Sequence, residues 1–352
     1  MITAPFDSQP LNPLKQSQET AMKTLIKPVT KSTRKAILLH TSALLLTIAG
    51  CGAHAQQAVD ESREVTANER IEIEAMRGDV QIRTTDSTTF RVSGTLDEEA
   101  EGYTLESSGG FTRFEVEMPR RPLGGPWNDS DGGSRLTIVV PRGSEIEFRG
   151  VNSTVDIADV SGRSSINTVN GSITAANLSN VVSLSTVNGS IASTGNSGRV
   201  EINSVNGEVD DSDSSGRVEY STVNGDLRID TRAEEVQLST INGEAEASLQ
   251  GTTDLHLSTV NGDIDISLTG SPSPRIDGST VSGDLRLLLE PQIGAKFSLK
   301  TNAGGSIQNN LSSDEVQREQ YGPARRLNFS LGDGSGSVEL NTVSGQLVLD
   351  QP

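Results

Sequence analysis

A four-residue motif, Thr/Ser-Val/Ile-Asn/Ser-Gly, recurs at a nearly fixed spacing through the second half of this chain. Its glycines follow one another in 18-residue steps from Gly171 to Gly243, and then in steps of 19, 21 and 62 residues at Gly262, Gly283 and Gly345. A fixed period of this length is the signature of a stacked repeat architecture, in which each unit buries its apolar face against its neighbours. The chain is therefore expected to fold as a solenoid and not around one compact core.

Apolar residues around the motif are spaced by two, which is the period of a β-strand and not of a helix. One such row contains Val223, two residues before its glycine, and another contains Leu227, two residues after it. The Asn-Gly corner and a second corner, such as Ser215-Gly216, separate the strands, because Asn and Gly tolerate the positive φ of tight turns. We therefore predict an all-β fold, a single-chain parallel β-solenoid (β-helix) with rungs of about 18 residues, a rung being one circuit of the chain. The general crossover rule favours right-handed winding.

This register makes Val223 an inward residue and Arg228 an outward one. A charge at position 223 is therefore expected to unfold the solenoid, whereas a charge change at position 228 is not. The motif asparagines are expected to stack in register as an amide ladder along one corner, with a structural role. They are Asn152, Asn170, Asn188, Asn206, Asn224, Asn242 and Asn261.

Three regions of residues 56–352 differ in regularity. Residues 149–290 hold the regular solenoid repeats. Residues 56–148 alternate like strands less regularly, and they predict an N-terminal cap together with the first rungs. Residues 291–352 predict irregular C-terminal rungs with a loop insertion, and residues 338–349 are expected to form the closing rung.

The N-terminal residues have the pattern of a targeting segment. A basic stretch ends at Lys35 and is followed by an apolar run over 36–50. This run has the length of a secretory h-region and is too short for a membrane span of about 20 residues. Because Met22 opens a more ordinary signal peptide, residues 1–21 are interpreted as a wrongly assigned N-terminal extension and residues 22–55 as the signal peptide.

Two cleavage sites compete within this segment. The sequence Ile48-Ala49-Gly50-Cys51 resembles the bacterial lipobox, and Cys51 is the single cysteine of the chain. It predicts lipid attachment at Cys51, and Gly52 after the cysteine favours the outer membrane. Ala53-His54-Ala55, in contrast, is a site for ordinary signal peptidase. Both interpretations predict an exported protein, either an outer-membrane lipoprotein or a periplasmic or extracellular one.

Charge and cysteine content exclude several function classes. A formal net charge of −18 argues against nucleic acid or an anionic lipid surface as partner, since both reward Lys and Arg. Contact with a membrane is therefore expected only through the lipid anchor. One cysteine excludes an internal disulfide framework and a cysteine-based zinc or iron–sulfur site built from one chain. No cofactor is expected.

The segment LTIVVPRGSEIEFRGVNSTVDI, residues 136–157, is followed by serial TVNG-x-I units. This layout resembles the bacterial putative-adhesin family, whose members are exported β-solenoid proteins of unknown function. The resemblance covers residues from about 65 to 352. It implies surface or periplasmic placement and no known catalysis, and it carries no site residues to this chain.

No catalytic, cofactor-binding or metal-binding residue is predicted. His256 lies at an outward strand position and is expected to be solvated. The tripeptide Arg77-Gly78-Asp79 matches an integrin-recognition sequence, but it occupies a corner and is interpreted as a plain turn. Trp127, near Arg120 and Arg121, is interpreted as an aromatic that caps the end of the solenoid, with a contact loop as the alternative.

Two acidic clusters could supply the oxygen ligands that Ca²⁺ prefers. Neither has the spacing of an EF-hand or of a calcium-binding nonapeptide repeat. Both are therefore interpreted as solvated acidic turns. They comprise Asp210, Asp211 and Asp213, and Asn128, Asp129 and Asp131.

The function predicted from these features is that of a non-enzymatic, exported cell-envelope protein. It would be adhesin-like, presenting an acidic surface to an unidentified protein or glycan of the envelope. A stress-sensing or ligand-binding module of the envelope is the alternative. A polysaccharide-active enzyme that uses paired carboxylates ranks below both, because the even rungs offer no obvious cleft.

Overall fold

The computed structural model describes residues 56–119 and 133–352. These residues form two long β-sheets, one of 14 strands (sheet A) and one of 15 strands (sheet B), whose strands are mostly parallel. The all-β class and the parallel β-solenoid are thereby confirmed. Within the described residues, no helix is long and apolar enough to cross a bilayer. The predicted signal peptide, Cys51 and residues 120–132, which include Arg120, Arg121 and Trp127, lie outside the described residues.

The strands are numbered in chain order. Strands β1 to β9 are Ala58–Glu64, Arg70–Glu74, Arg77–Thr85, Thr89–Thr95, Gly102–Ser108, Phe111–Glu117, Ser134–Pro141, Glu145–Arg149 and Asn152–Ala158. Strands β10 to β19 are Ser164–Asn167, Ile173–Ala176, Val181–Thr186, Ile191–Thr194, Ser197–Ser204, Val209–Ser212, Ser215–Thr222, Leu227–Thr231, Glu235–Ser239 and Ala245–Gln250. Strands β20 to β29 are Asp254–Ser258, Ile264–Thr269, Arg275–Thr280, Leu285–Leu289, Ala295–Thr301, Ser306–Asn309, Gln317–Arg318, Arg325–Leu331, Gly336–Thr342 and Gln346–Asp350.

Each regular rung gives one strand to each sheet. In sheet A, Ile191 pairs with Val209, Val209 with Leu227, and Leu227 with Ala245, so the pairing steps equal the 18-residue repeat. The later steps follow the motif as well, since Leu285 pairs with Leu347 across the 62-residue step. The spacing of the motif therefore sets the strand register of the whole solenoid.

Alternate residues of each strand fill the narrow space between the two sheets. Leu227, Leu238 and Leu184 are each no more than 1% exposed, and Arg228 is exposed. Burial of such a side chain stabilises the fold by about 1.5–3 kcal/mol before conformational entropy is subtracted. Because one circuit buries only a few aliphatic side chains, stability depends on the stacking of many rungs.

The corner motif differs from the predicted register in one respect. Thr222 is buried at 1% exposure, and Val223 is only half-buried at the corner. Prediction of Val223 as an inward residue was therefore wrong. A charge at position 223 should destabilise the fold less than predicted, because it would not be fully buried. The cause is a capping hydrogen bond, because the Gly225 amide donates to Thr222 Oγ1 at 3.1 Å. The threonine turns inward to close the corner, as short hydroxyl side chains do at turns.

The motif glycines are also required for a different reason than the one expected. None of them has a positive φ, whereas the second-corner glycines Gly198 and Gly216 do, at 98° and 92°. A Cβ on Gly207 would instead lie 1.7 Å from the carbonyl oxygen of Gly189 in the preceding rung. The first corner therefore needs glycine because adjacent rungs approach too closely for a side chain.

At each end of the solenoid, one rung is inserted between two others. β28 lies between β22 and β24 in sheet B, and β29 lies between β23 and β25 in sheet A. Residues 338–349, predicted to close the solenoid, are therefore the penultimate rung, and β24–β25 covers them. At the other end, β2 lies between β8 and β6, and β3 lies between β9 and β7.

Antiparallel strands finish both sheets at the N-terminal end and sheet B at the C-terminal end, whereas sheet A ends there on the parallel strand β25. β4 and β1 extend sheet A beyond β7, and β5 extends sheet B beyond β6. At the C-terminal end, β27 and β26 extend sheet B beyond β24. At these edges the parallel stack ends, because the outermost strand no longer has the direction that another parallel rung would continue.

Candidate functional site: a polar groove on sheet B

A groove of about 300 Å³ lies on the outer face of sheet B, in the middle of the regular rungs. It crosses four consecutive parallel strands, β14, β16, β18 and β20. Outward and inward residues alternate along these strands, so each strand brings two polar side chains to the groove and turns its aliphatic residues into the core.

The strand register arranges these side chains in two rows. One row runs along the solenoid through Arg199, Arg217, Glu235 and Asp254. The second row runs parallel to it through Glu201, Glu219, Gln237 and His256. Adjacent members of a row are one strand spacing apart, about 4.8 Å. The groove therefore presents a regular array of positively and negatively charged hydrogen-bonding groups.

The arginines of the groove differ in their partners. Arg217 Nη2 lies 2.5 Å from Glu235 Oε2 on the next strand, and both side chains are about half exposed. Arg199 is exposed and forms no ion pair with any of the described residues. Its guanidinium can therefore donate to a carboxylate or phosphate that enters the groove.

Two glutamates face each other at the middle of the groove. Glu219 lies directly opposite Glu201 in the ladder. Partial burial and repulsion by Glu201 raise the pKa of Glu219 above its ordinary value, although Arg217 acts in the opposite direction. Like charges directly opposite each other cost stability, so a bound cationic or hydrogen-bond-donating group would relieve this pair.

The fourth strand adds a histidine and an acceptor. His256 is half exposed, as predicted for an outward residue, and its Nε2 lies 3.2 Å from Asp254 Oδ1. That contact lacks hydrogen-bond geometry, so Asp254 Oδ1 is a buried oxygen without a donor among the described residues. A hydroxyl donor from a ligand would satisfy it.

These groups suit recognition of a polar, extended ligand. They offer cationic donors, carboxylate acceptors and an amide, which together can bind hydroxyl, carboxylate or phosphate groups. Among the described residues, no group of three His, Cys, Asp or Glu side chains is arranged to hold a metal ion.

The asparagine ladder lies at the first corner and not in the groove. Each asparagine Nδ2 donates to the Oδ1 of the asparagine in the preceding rung, as Asn188 does to Asn170 at 2.7 Å. The other links are Asn170 to Asn152, Asn206 to Asn188, Asn224 to Asn206, Asn242 to Asn224 and Asn261 to Asn242. Ser282 continues the row by donating to Asn261. The structure therefore gives these side chains partners within their own row.

One acidic cluster differs from the prediction of solvated turns. Asp210 and Asp213 are exposed, but Asp211 points inward and is 3% exposed. It accepts hydrogen bonds from Tyr220 at 2.6 Å and from Ser214 at 2.8 Å. Interpretation of Asp211 as a solvated residue was therefore wrong, and its alternation with Val209 shows why, since both occupy the inward set of β15.

Interpretation of the tripeptide at 77–79 as a plain turn was wrong, because these residues form the beginning of strand β3. Arg77 is only 7% exposed, and its Nε lies 3.4 Å from Asp97 Oδ2. Gly78 has a φ of 113° and meets Ser134 of β7 closely. Burial of this arginine removes the exposure that integrin recognition would need. Asn128, Asp129 and Asp131 lie outside the described residues.

Sequence reasoning identified His256 singly but missed the groove as a unit. The signal was present in the repeat, because Arg199 and Arg217 stand 18 residues apart, as do Glu201 and Glu219. Alignment of the outward positions of successive rungs, in addition to the inward ones, would have revealed both rows.

The fold and the groove define a β-solenoid protein with a polar groove on the outer face of one sheet. A family model described as Toastrack DUF4097 matches residues 68–349. The chain belongs to this family, a domain of unknown function, in agreement with the resemblance to a putative-adhesin family. No curated protein matches the chain.

Three solved structures are similar at low identity. A putative cell adhesion protein from Clostridium sporogenes is 11% identical over 84% of this chain and 100% of its own, with a TM-score of 0.18. A putative adhesin from Bacteroides fragilis is 12% identical over 84% and 98%, with a TM-score of 0.36. A putative lipid binding protein from Parabacteroides distasonis is 16% identical over 65% and 97%, with a TM-score of 0.33. At these TM-scores the likeness carries no functional argument.

Proposed function

We propose that this protein is a non-enzymatic, exported cell-envelope protein that binds an extended polar partner along the groove of sheet B. The partner is a glycan or a protein segment of the envelope that carries hydroxyl and acidic groups. The observation that carries this proposal is the double row of polar side chains over four consecutive strands, within a groove of about 300 Å³.

Several features support binding over catalysis. The polar groups of the groove repeat at a constant spacing, which suits a repeating ligand. They do not converge on one point, as a nucleophile, a base and an oxyanion site do. Arg199 stands without an ion-pair partner among the described residues. It supplies a charged donor that a ligand can use without displacing an existing contact.

The Arg199→Ala variant tests the groove. We expect it to weaken retention of the purified protein on intact envelopes about tenfold, because a hydrogen bond to a charged group contributes about 1.5–3 kcal/mol when it is lost. Co-sedimentation with envelopes over a range of protein concentrations gives the two affinities.

Arg228→Ala is the matched control, since Arg228 lies on the outer face of the other sheet and pairs with Glu208. Equal retention of all three proteins would contradict the groove as the binding site. Treatment of the envelopes with a protease or with periodate then separates a protein partner from a glycan.

The proposed location is the outer membrane, to which Cys51 would attach the protein through an acyl chain. Support comes from the lipobox-like sequence at 48–51 and from the position of the single cysteine there. Two acyl signals are needed for stable anchoring, which diacylation of the cysteine provides.

Metabolic labelling with a palmitate analogue tests the anchor. We expect strong labelling of the wild type and none of Cys51→Ser, because the analogue needs the lipidated cysteine. Equal labelling of both proteins, or a mature N-terminus at Gln56, would contradict lipid attachment and favour ordinary secretion.

A further inference from the structure

The C-terminal end of sheet B carries a concentration of positive charge in an otherwise acidic protein. Its last three strands, β24, β27 and β26, contain Lys296, Lys300, Arg318, Arg325 and Arg326. The rungs just before them are strongly acidic, since residues 208–290 contain 17 Asp and Glu and 5 Arg. The chain as a whole is acidic, but these three strands carry a local excess of positive charge.

Cations on these strands stand opposite other cations. Arg318 of β26 pairs in register with Arg325 of β27, and Lys300 of β24 pairs with Arg326 of β27. Like charges at directly opposed positions destabilise a sheet. In the middle of the same sheet Arg199 likewise stands opposite Arg217, but there Arg217 also has an opposed acid, Glu235, with which it forms an ion pair.

Few of these cations are neutralised locally. Arg326 has Glu319 within 3.6 Å. Arg318, Arg325, Lys296 and Lys300 form no ion pair with a described residue. The acids Asp314, Glu315 and Glu319 lie in the same stretch of chain but leave these four cations unpaired. The opposed cations therefore repel one another, and a bound anion would reduce this repulsion.

The loop between β26 and β27 adds an exposed aromatic residue. Tyr321 is 87% exposed, more than either of the other exposed large hydrophobic residues of the described chain, Val281 and Val343. The Glu319 amide donates to the Ala324 carbonyl at 3.1 Å and closes the loop beneath it. A tyrosine presented in this way has an apolar ring and a polar hydroxyl, and this combination favours the headgroup region of a bilayer.

We propose that this terminal hairpin, residues 317–331, docks on the anionic headgroups of a lipid bilayer through Arg318, Arg325 and Tyr321. Arg318 and Arg325 stand directly opposite each other and therefore project from the same face of the hairpin, so one flat negative surface can contact both. A single small anion would reach only one opposed pair. This surface is separate from the groove of sheet B, and it departs from the expectation, based on net charge, that membranes are contacted only through the lipid anchor.

Vesicle co-sedimentation tests the proposal with the full protein as the cell processes it. The readout is the ratio of binding to mixed phosphatidylglycerol–phosphatidylcholine vesicles over binding to pure phosphatidylcholine vesicles, since an acyl anchor contributes equally to both. We expect the wild-type ratio to be well above one and to fall as salt is raised, because salt screens exposed charges.

The decisive variant is Arg318→Gln/Arg325→Gln. Each cation near an anionic surface contributes about fivefold, so we expect the ratio to fall by about 25-fold. Tyr321→Ser should lower binding to the anionic vesicles several-fold. Arg228→Gln/Arg286→Gln, which removes two exposed cations from sheet A, is the matched control and should leave the ratio unchanged.

Circular dichroism melts check that all variants remain folded. A hairpin variant that melts like the wild type and retains its ratio would overturn the proposal. Loss of binding in the sheet A control alone would overturn it as well. Full competition by soluble inorganic polyphosphate, together with no effect of Tyr321→Ser, would assign the hairpin to a soluble polyanion and reject the bilayer.

Discussion

The Gly207→Ala variant is expected to lose more than about 3 kcal/mol of unfolding free energy, although it adds only one methyl group. The reason is the column of corner glycines, in which a Cβ at position 207 would lie 1.7 Å from the Gly189 carbonyl oxygen. Backbone atoms of adjacent rungs cannot move apart without breaking the ladders on both sheets. Urea denaturation followed by circular dichroism measures the loss.

Glu208→Ala is the control for this substitution. Glu208 is the next residue in the chain, is exposed, and forms only a surface ion pair with Arg228. Such pairs contribute about 0–1 kcal/mol, so this variant should unfold almost like the wild type. A Gly207→Ala protein within about 0.5 kcal/mol of the wild type would show that rung spacing adapts to a side chain at the corner.

Replacement of the buried Asp211 by Asn is expected to change the pH dependence of stability. Burial is the largest influence on Asp211 and raises its pKa, while hydrogen bonds from Ser193, Tyr220 and Ser214 act in the opposite direction. A carboxyl whose folded pKa is raised favours the fold when protonated, and this contribution is lost as pH rises through the folded pKa. The wild type should therefore lose stability relative to Asp211→Asn as pH rises from below the ordinary Asp pKa towards neutrality.

The Tyr220→Phe variant separates the effect of the Tyr220–Asp211 hydrogen bond on stability from the effect of burying Asp211. The Tyr220 hydroxyl donates to Asp211 Oδ2 at 2.6 Å in the core, so its loss leaves a buried carboxylate with fewer donors. We expect a loss of about 1.5–3 kcal/mol at neutral pH, and a smaller loss in acid, where Asp211 is protonated. Chemical denaturation of both single variants and the double variant across this pH range measures the two effects. A pH-independent loss would show that Asp211 does not change its protonation state across this range.

The repeat was sufficient to predict the fold class, the strand period and the rung length. It succeeded because each rung contacts its immediate neighbours, so a spacing of 18 residues translates directly into the pairing of Ile191 with Val209. Alternation of apolar residues likewise placed Leu227 inward and Arg228 outward, as the structure shows.

The sequence did not predict which corner residue points inward, the order of the terminal strands within the sheets, or the groove. Val223 was assigned inward because of its hydrophobicity, whereas the residue that points inward is Thr222, whose hydroxyl accepts a hydrogen bond from the Gly225 amide. Rungs inserted at the two ends could not be predicted from periodicity, because a 62-residue step does not say on which side the returning chain packs. The groove was missed because outward polar residues have no required period.

The inserted rung at residues 336–350 constrains the order of events when such a chain folds. Until these residues arrive, β22 and β23 present open parallel edges, and β24 and β25 have nothing on which to stack. The regular rungs can accumulate one after another as the chain emerges, since each needs only its predecessor. Completion of the C-terminal end is a single late event that depends on one short segment. Any interruption of synthesis before Gly336 would therefore leave two unpaired sheet edges exposed to other chains.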